Sequence, residues 1–108
     1  MTAANRAEAE RLARKLVEAR LAACVQILPE VESIYRWQGN VERQAEVLLI
    51  AKTVRSKFAE LEIAVSALHS YETPEIVAVP MAGCSAAYLE WLVTTTETPE
   101  ATASTASE

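Results

Sequence analysis

The sequence is poor in several residue types on which common active sites depend. It contains one His, two Gly, two Cys and no Asp. A Ser-His-Asp triad therefore cannot be assembled from one chain. With glycine only at positions 39 and 83, the Gly-rich loops that hold phosphate groups in nucleotide-binding proteins are excluded. Cys24 and Cys84 form no C-x-x-C pair, which excludes a zinc knuckle and a thioredoxin-like redox motif.

Charge and hydropathy argue against two further classes of protein. Ten basic and fifteen acidic residues give a net charge of −5 at pH 7, whereas a nucleic-acid-binding domain usually carries a basic face. No apolar run approaches the ~20 residues that a transmembrane helix needs. No secretory leader is recognisable, so we expect a cytoplasmic protein with reduced thiols. We therefore expect neither a nucleic-acid partner nor a membrane partner.

The chain of 108 residues has the length of one domain and a tail. Residues 94–108, TTTETPEATASTASE, contain three Glu and neither Lys nor Arg. This segment has too little apolar surface to offset the entropy lost on ordering, so we predict a disordered acidic tail. Residues 1–93 form the predicted domain. They keep ten basic and twelve acidic residues, so the domain itself carries only −2.

The apolar pattern of the domain predicts alternating helices and strands. Spacings of three and four positions predict helices at 5–20, 56–68 and 86–92, the first capped by Asn5 with Glu8 at the capping-box position. A hairpin is predicted with arms at 23–38 and 41–53, interrupted at Pro29 and turning at Gly39-Asn40. A last strand is predicted at 75–79, before Pro80.

The resulting order is α-β-β-α-β-α, which predicts an α+β protein. It matches a ferredoxin-like β-α-β-β-α-β sandwich with an antiparallel sheet, but with the first strand missing. Residues 1–4 are too few for a central strand, and such a gap would leave backbone groups unpaired on both sides. We expect an upstream start, a shortened chain or another segment in that position, and favour the first.

Five segments in order resemble the CutA divalent-cation tolerance family. They are LAAC (21–24), SIYRWQG (33–39), EVLLIAKT (46–53), LHSYETPEIVAVP (68–80) and AYLEWL (87–92). The resemblance implies a ferredoxin-like fold, a homotrimer whose long hairpins pair across subunits, and binding of copper or other divalent ions. It implies no catalytic reaction. Ser70 departs from the family, which usually has Pro after this His.

The loop after the second helix contains the predicted metal ligands. An imidazole suits copper and zinc, and the resemblance implies that His69 is a candidate ligand. Glu72 lies in the same loop, and Cys84 lies in an accessible turn; both could complete a site shared between subunits. The alternatives are a structural helix-end His69, a loop that sets the geometry of the next strand, and a surface thiol at Cys84 without function. Cys24 is expected to be a small buried apolar residue.

Three functional hypotheses follow. The first is a cytoplasmic homotrimer that binds copper or another divalent metal ion weakly and contributes to metal tolerance. The second is a trimeric regulatory module, similar to the PII proteins, that binds a small anionic metabolite between subunits. The third is an enzyme with a cysteine nucleophile and His69 as base, which we consider the least consistent with a buried Cys24.

Overall fold

The computed structural model describes residues 1–97 as three strands and three α-helices. The elements are β1 (Thr2–Ala3), α1 (Arg6–Glu18), β2 (Cys24–Trp37), β3 (Asn40–Lys52), α2 (Phe58–Leu68), which follows a 3₁₀ turn at Arg55–Lys57, and α3 (Ala86–Thr96). The sheet is antiparallel in the order β1-β3-β2. The prediction of an α+β protein is confirmed.

Helix α1 begins and ends with side-chain and backbone caps. Asn5 accepts a hydrogen bond from the backbone N–H of Glu8, as predicted. At the other end Arg20 has φ +60°, and the N–H of Leu21 donates to the carbonyl of Leu16 over 2.9 Å. This is a Schellman ending with Arg where Gly is usual, and it stops the helix at Glu18 rather than at the predicted residue 20.

The hairpin of β2 and β3 is continuous through Pro29. Leu28 pairs with Leu48 and Val31 with Glu46, so Pro29 and Glu30 together oppose one residue of β3. The prediction that the strand stops at Pro29 was wrong, because a bulge tolerates a residue that cannot donate a ladder hydrogen bond.

The hairpin turn lies one residue earlier than predicted. Trp37 pairs with Asn40, and the central residues are Gln38 (φ +49°) and Gly39 (φ +84°). Two consecutive positive φ angles are typical of a type I′ turn, which matches the twist of the strands.

Residues before α1 were expected to be too few for a central strand, and they form a two-residue strand at the edge of the described sheet. Thr2 and Ala3 pair with Leu48 and Val47. Met1 exchanges both backbone hydrogen bonds with Leu49, at 3.0 and 2.7 Å. The predicted strand at 75–79 is not formed. Its neighbour in a ferredoxin-like sheet would be β1, which offers only two residues for pairing.

One apolar cluster joins α1, α2 and a single face of the sheet. Val47 and Leu49 of β3 point to the same face because side chains alternate along a strand. The buried residues of this cluster include Ala3, Ala9, Leu12, Leu16, Val47, Leu49, Leu61 and Val65.

Helix α3 is longer than predicted. Ser85 caps it, and it continues to Thr96, so residues 94–96 are helical although they were assigned to the tail. The Nη1 of Arg20 donates to the carbonyl of Thr95 over 3.0 Å and links α3 to the end of α1. Glu97 caps the end of α3, and residues 98–108 of the predicted tail lie outside the described residues. Within residues 1–97, no helix has the length and hydropathy to cross a membrane.

Candidate functional site

His69 caps the end of α2 and is buried beneath the loop that follows. Its side chain is 1% exposed. The ring Nε2 lies 2.8 Å from the carbonyl oxygen of Thr2, and the N–H of Tyr71 lies 3.0 Å from Nδ1. A carbonyl only accepts, so Nε2 carries the proton and Nδ1 accepts from Tyr71. Both ring nitrogens are therefore engaged within the chain, and the imidazole can ligate a metal only by giving up one of these bonds.

Glu8 of α1 is a second buried group beneath the same loop. Its carboxylate accepts hydrogen bonds from the N–H of Ala4 (2.9 Å) and from the N–H and hydroxyl of Ser70 (2.6 and 3.1 Å). It lies 3.7 Å from Nδ1 of His69. Burial alone would raise the pKa of Glu8, but these hydrogen bonds and the nearby imidazole hold it below the ordinary value.

Glu46 of β3 is a third buried group, on the hairpin side of the loop. One oxygen accepts from the hydroxyl of Ser33 over 2.6 Å, and the other accepts from the phenol of Tyr71 over 2.7 Å. Burial, and then the hydrogen bond to Glu46, raise the pKa of Tyr71. The Tyr71 ring also packs on the His69 ring at a centroid distance of 4.7 Å.

These contacts define a polar cluster of His69, Ser70, Tyr71, Glu8 and Glu46. It ties the loop to α1, β1 and β3 at once. Among the described residues, every buried side-chain nitrogen and oxygen has a hydrogen-bond partner. The cluster is thus a hydrogen-bonded structural network in which each buried polar side-chain atom has a partner within the described chain.

The three predicted metal ligands are not brought together within one chain. His69 is buried, whereas residues Glu72 and Cys84 are exposed. Over residues 1–97, no group of three or more His, Cys, Asp or Glu side chains is arranged to hold a metal ion. Within this part of the chain, His69, Glu72 and Cys84 therefore do not form a three-ligand group.

The cysteine enzyme hypothesis also lacks the required contact. The ring nitrogens of His69 bond to Thr2 and Tyr71, and no hydrogen bond joins the ring to Cys24 or Cys84 in the described part of the chain. Cys24 is half-buried at the start of β2, rather than fully buried as expected.

Sequence reasoning missed Glu8 and Glu46 as members of the cluster. The capping-box spacing from Asn5 was a signal for Glu8, although its carboxylate accepts from Ala4 rather than from the N–H of Asn5. No local signal exists for Glu46, because its partner Tyr71 is distant in the sequence.

Comparison with known proteins gives one consistent result. The family model "CutA1 divalent ion tolerance protein" matches residues 1–95. The divalent-cation tolerance protein CutA of Thermus thermophilus is 52% identical over 84 residues, covering 78% of this chain and 82% of the relative. The chloroplastic CutA of Arabidopsis thaliana is 45% identical, covering 89% of this chain and 53% of the relative. The chain thus spans about half the length of some of its curated relatives.

Solved structures show the same likeness. The T. thermophilus CutA1 structure superimposes with a TM-score of 0.87 at 48% identity, covering 89% of this chain and 93% of that one. A structure described as the periplasmic divalent cation tolerance protein CutA of Archaeoglobus fulgidus gives 0.87 at 43% identity, with the same coverage. These neighbours confirm the ferredoxin-like α+β fold. The chain belongs to the CutA1 divalent ion tolerance protein family.

Proposed function

We propose that this protein is a homotrimeric divalent-cation tolerance protein that binds copper or another divalent metal ion at sites shared between subunits. Family membership supports the role in cation tolerance. The trimer is inferred from the projecting hairpin of β2 and β3. The cytoplasmic location predicted from the sequence is part of the same proposal.

The outer edge of the hairpin is suited to pairing with another chain. Strand β2 is 14 residues long and lies at the edge of the sheet. Ile34, Trp37 and Val41 are exposed near its tip, and Ile34 has 67% of its surface accessible. Long apolar edge strands are prone to aggregation unless they are covered. Pairing of three hairpins around a three-fold axis would cover these edges.

The assembly is tested by sedimentation equilibrium. We expect a mass three times that of the 11.8 kDa chain. Ile34→Glu should dissociate the assembly, because it places a charge at the proposed subunit contact. Ile63→Glu is the matched control, since Ile63 is 70% exposed but lies on α2. A monomeric wild-type protein at micromolar concentration would refute the trimer.

The metal site is proposed to use ligands from more than one subunit. Residues 1–97 of one chain do not gather three ligands, whereas a structural site commonly has about four. Glu72 and Cys84 are the more available candidates because both are exposed. His69 remains a candidate that would have to release Thr2 or Tyr71.

Calorimetric titration of the assembled protein with Cu²⁺ tests this site. We expect Glu72→Gln and Cys84→Ser to weaken binding, whereas Glu62→Gln, an exposed carboxylate on α2, leaves it unchanged. Equal affinity in all variants would exclude the assigned ligands. A thermal-shift response to anionic metabolites but not to metal ions would favour the PII-like alternative.

A further inference from the structure

A groove on the surface of the helices is lined by residues that neither the polar cluster nor the proposed metal site uses. It holds about 450 Å³ and lies between α1 and the end of α2. Its apolar lining includes Ala7 and Leu68, and Leu68 keeps 45% of its surface exposed. Along α1 the groove extends from Ala7 to Glu18, which is about 16 Å at 1.5 Å per residue.

Three cationic side chains line the same groove: Arg11, Arg14 and Lys15. Spacings of three and four positions place them on one face of α1, and all three are exposed. None of them forms an ion pair within the part of the chain that the structure describes, although Glu10 and Glu18 are each four positions from Arg14. Like charges four positions apart destabilise a helix, so an anion between Arg11 and Lys15 would relieve their repulsion.

The two carboxylates that line the groove do not cancel this positive charge. Glu10 is already paired, because the Nε of Arg6 bonds to its carboxylate over 3.1 Å. Glu18 is the last residue of α1 and the last residue of this helix that lines the groove. The middle of the groove is therefore positive, in a chain whose net charge is −5.

We propose that this groove binds an acidic amphipathic helix of a partner protein. The apolar face of the partner would pack on Ala7 and Leu68. Glutamates beside that face would pair with Arg11, Arg14 and Lys15. A helix laid in a groove uses anchors three and four positions apart, and three helical turns match the length of this groove. The apolar stems of the arginine and lysine side chains add contact area while their charged ends stay in water. This inference depends neither on the cation nor on the trimer.

Charge and shape favour this partner over other anionic partners. A nucleic acid would bring its row of phosphates against the two carboxylates of the groove and would leave Leu68 without an apolar contact. A membrane surface is too broad to enter a groove set between two helices. Residues 98–108 of this chain contain two Glu but no Leu, Ile, Val, Met or aromatic residue that could cover Leu68.

Fluorescence anisotropy of the full chain with a labelled helical peptide tests the proposal. The probe has about twelve residues, with leucine at every third or fourth position and glutamate or alanine elsewhere. A matched peptide with glutamine in place of each glutamate should bind about tenfold more weakly. Each exposed ion pair contributes little, but several pairs together account for a factor of this size.

Variants of the protein locate the binding surface. Arg11→Gln/Lys15→Gln should bind the acidic peptide about tenfold more weakly and the glutamine peptide as well as wild type does. Arg36→Gln/Arg55→Gln is the matched control, because it removes the same charge from exposed positions outside the groove. Leu68→Ala should weaken binding of the acidic peptide but not of a version with serine in place of each leucine. If Leu68→Ala fails to fold, the two charge variants decide.

Equal losses of affinity in the groove variant and the control variant would overturn the proposal, because only the net charge would then matter. An acidic peptide that binds no better than the glutamine peptide would also overturn it. So would binding of phosphatidylserine vesicles, but not of the peptide, that is lost in the groove variant, since the surface would then bind a membrane. Removal of residues 98–108 should leave the peptide affinity unchanged. Tighter binding after this removal would assign the groove to that segment and overturn the proposal.

Discussion

The Nε2 of His69 donates to the backbone carbonyl of Thr2 across 2.8 Å, joining the end of α2 to β1. The two residues are far apart in the sequence, and the imidazole is buried. The same ring accepts from the backbone of Tyr71, so one side chain fixes both the short strand and the loop. This role explains the position of the only His of the chain without requiring a ligand.

Replacement of His69 by Ala is expected to lower the free energy of unfolding by about 2–4 kcal/mol. It leaves the Thr2 carbonyl and the Tyr71 N–H without partners and opens a cavity. Urea unfolding at one fixed protein concentration measures the change. Glu72→Gln is the control, because that side chain is exposed in the same loop. A loss at position 69 no larger than that of the control would show that the ring is not a structural tie.

The stability should depend on pH through Glu8. Its pKa is lowered from 4.5 in the folded chain, so the unfolded chain takes up the proton first as pH falls. The stabilisation that Glu8 provides is therefore complete well above pH 4.5. It is lost as pH falls from 4.5 toward the pKa that Glu8 has in the folded chain. Below pH 4.5 the free energy of unfolding should fall more steeply for wild type than for Glu8→Gln. Parallel pH profiles would contradict this.

Local sequence signals predicted the elements whose causes are local. These signals were the Asn5 cap, the periodicity of α1 and the alternation of the hairpin. They predicted α1 and the hairpin strands to within a few residues of the observed bounds. Pro29 was misjudged because a bulge depends on the partner strand. The strand at 75–79 was predicted from composition, but a strand also requires a neighbour with free backbone groups along its length.

The polar cluster could be predicted only in part. His69 was identified, but its burial and its bonds to Thr2 and Tyr71 depend on contacts between distant segments. Glu46 was predicted only as a residue of the second hairpin arm, with no role assigned to its side chain. Its burial is possible only because Ser33 and Tyr71 supply hydrogen bonds from two other elements.

Replacement of Tyr71 by Phe tests the bond to Glu46. It removes one donor from a buried carboxylate and should cost about 1–3 kcal/mol in unfolding free energy. The pKa of Tyr71 is raised. In an alkaline titration followed by ultraviolet absorbance, Tyr71 should therefore be the last tyrosine of the wild type to ionise. This last absorbance change should be missing from the variant. Loss of an early-titrating tyrosine instead would show that the phenol is not buried against Glu46.

The hairpin turn offers the clearest test of backbone conformation. Gln38 holds φ +49° without being Gly, and Asn tolerates this region better, so Gln38→Asn should stabilise the protein by about 0.5–1 kcal/mol.

Gly39→Ala, at the next position of the turn, should destabilise the protein by about 1 kcal/mol. Its Cβ would meet open space, so the cost is the strain of φ +84° alone. Gly83→Ala is the control, because it also faces open space and its φ lies outside that region. Thermal unfolding of the three variants should therefore rank Gln38→Asn above Gly83→Ala and Gly39→Ala last. Equal midpoints for the two glycine variants would mean that the turn does not impose this conformation.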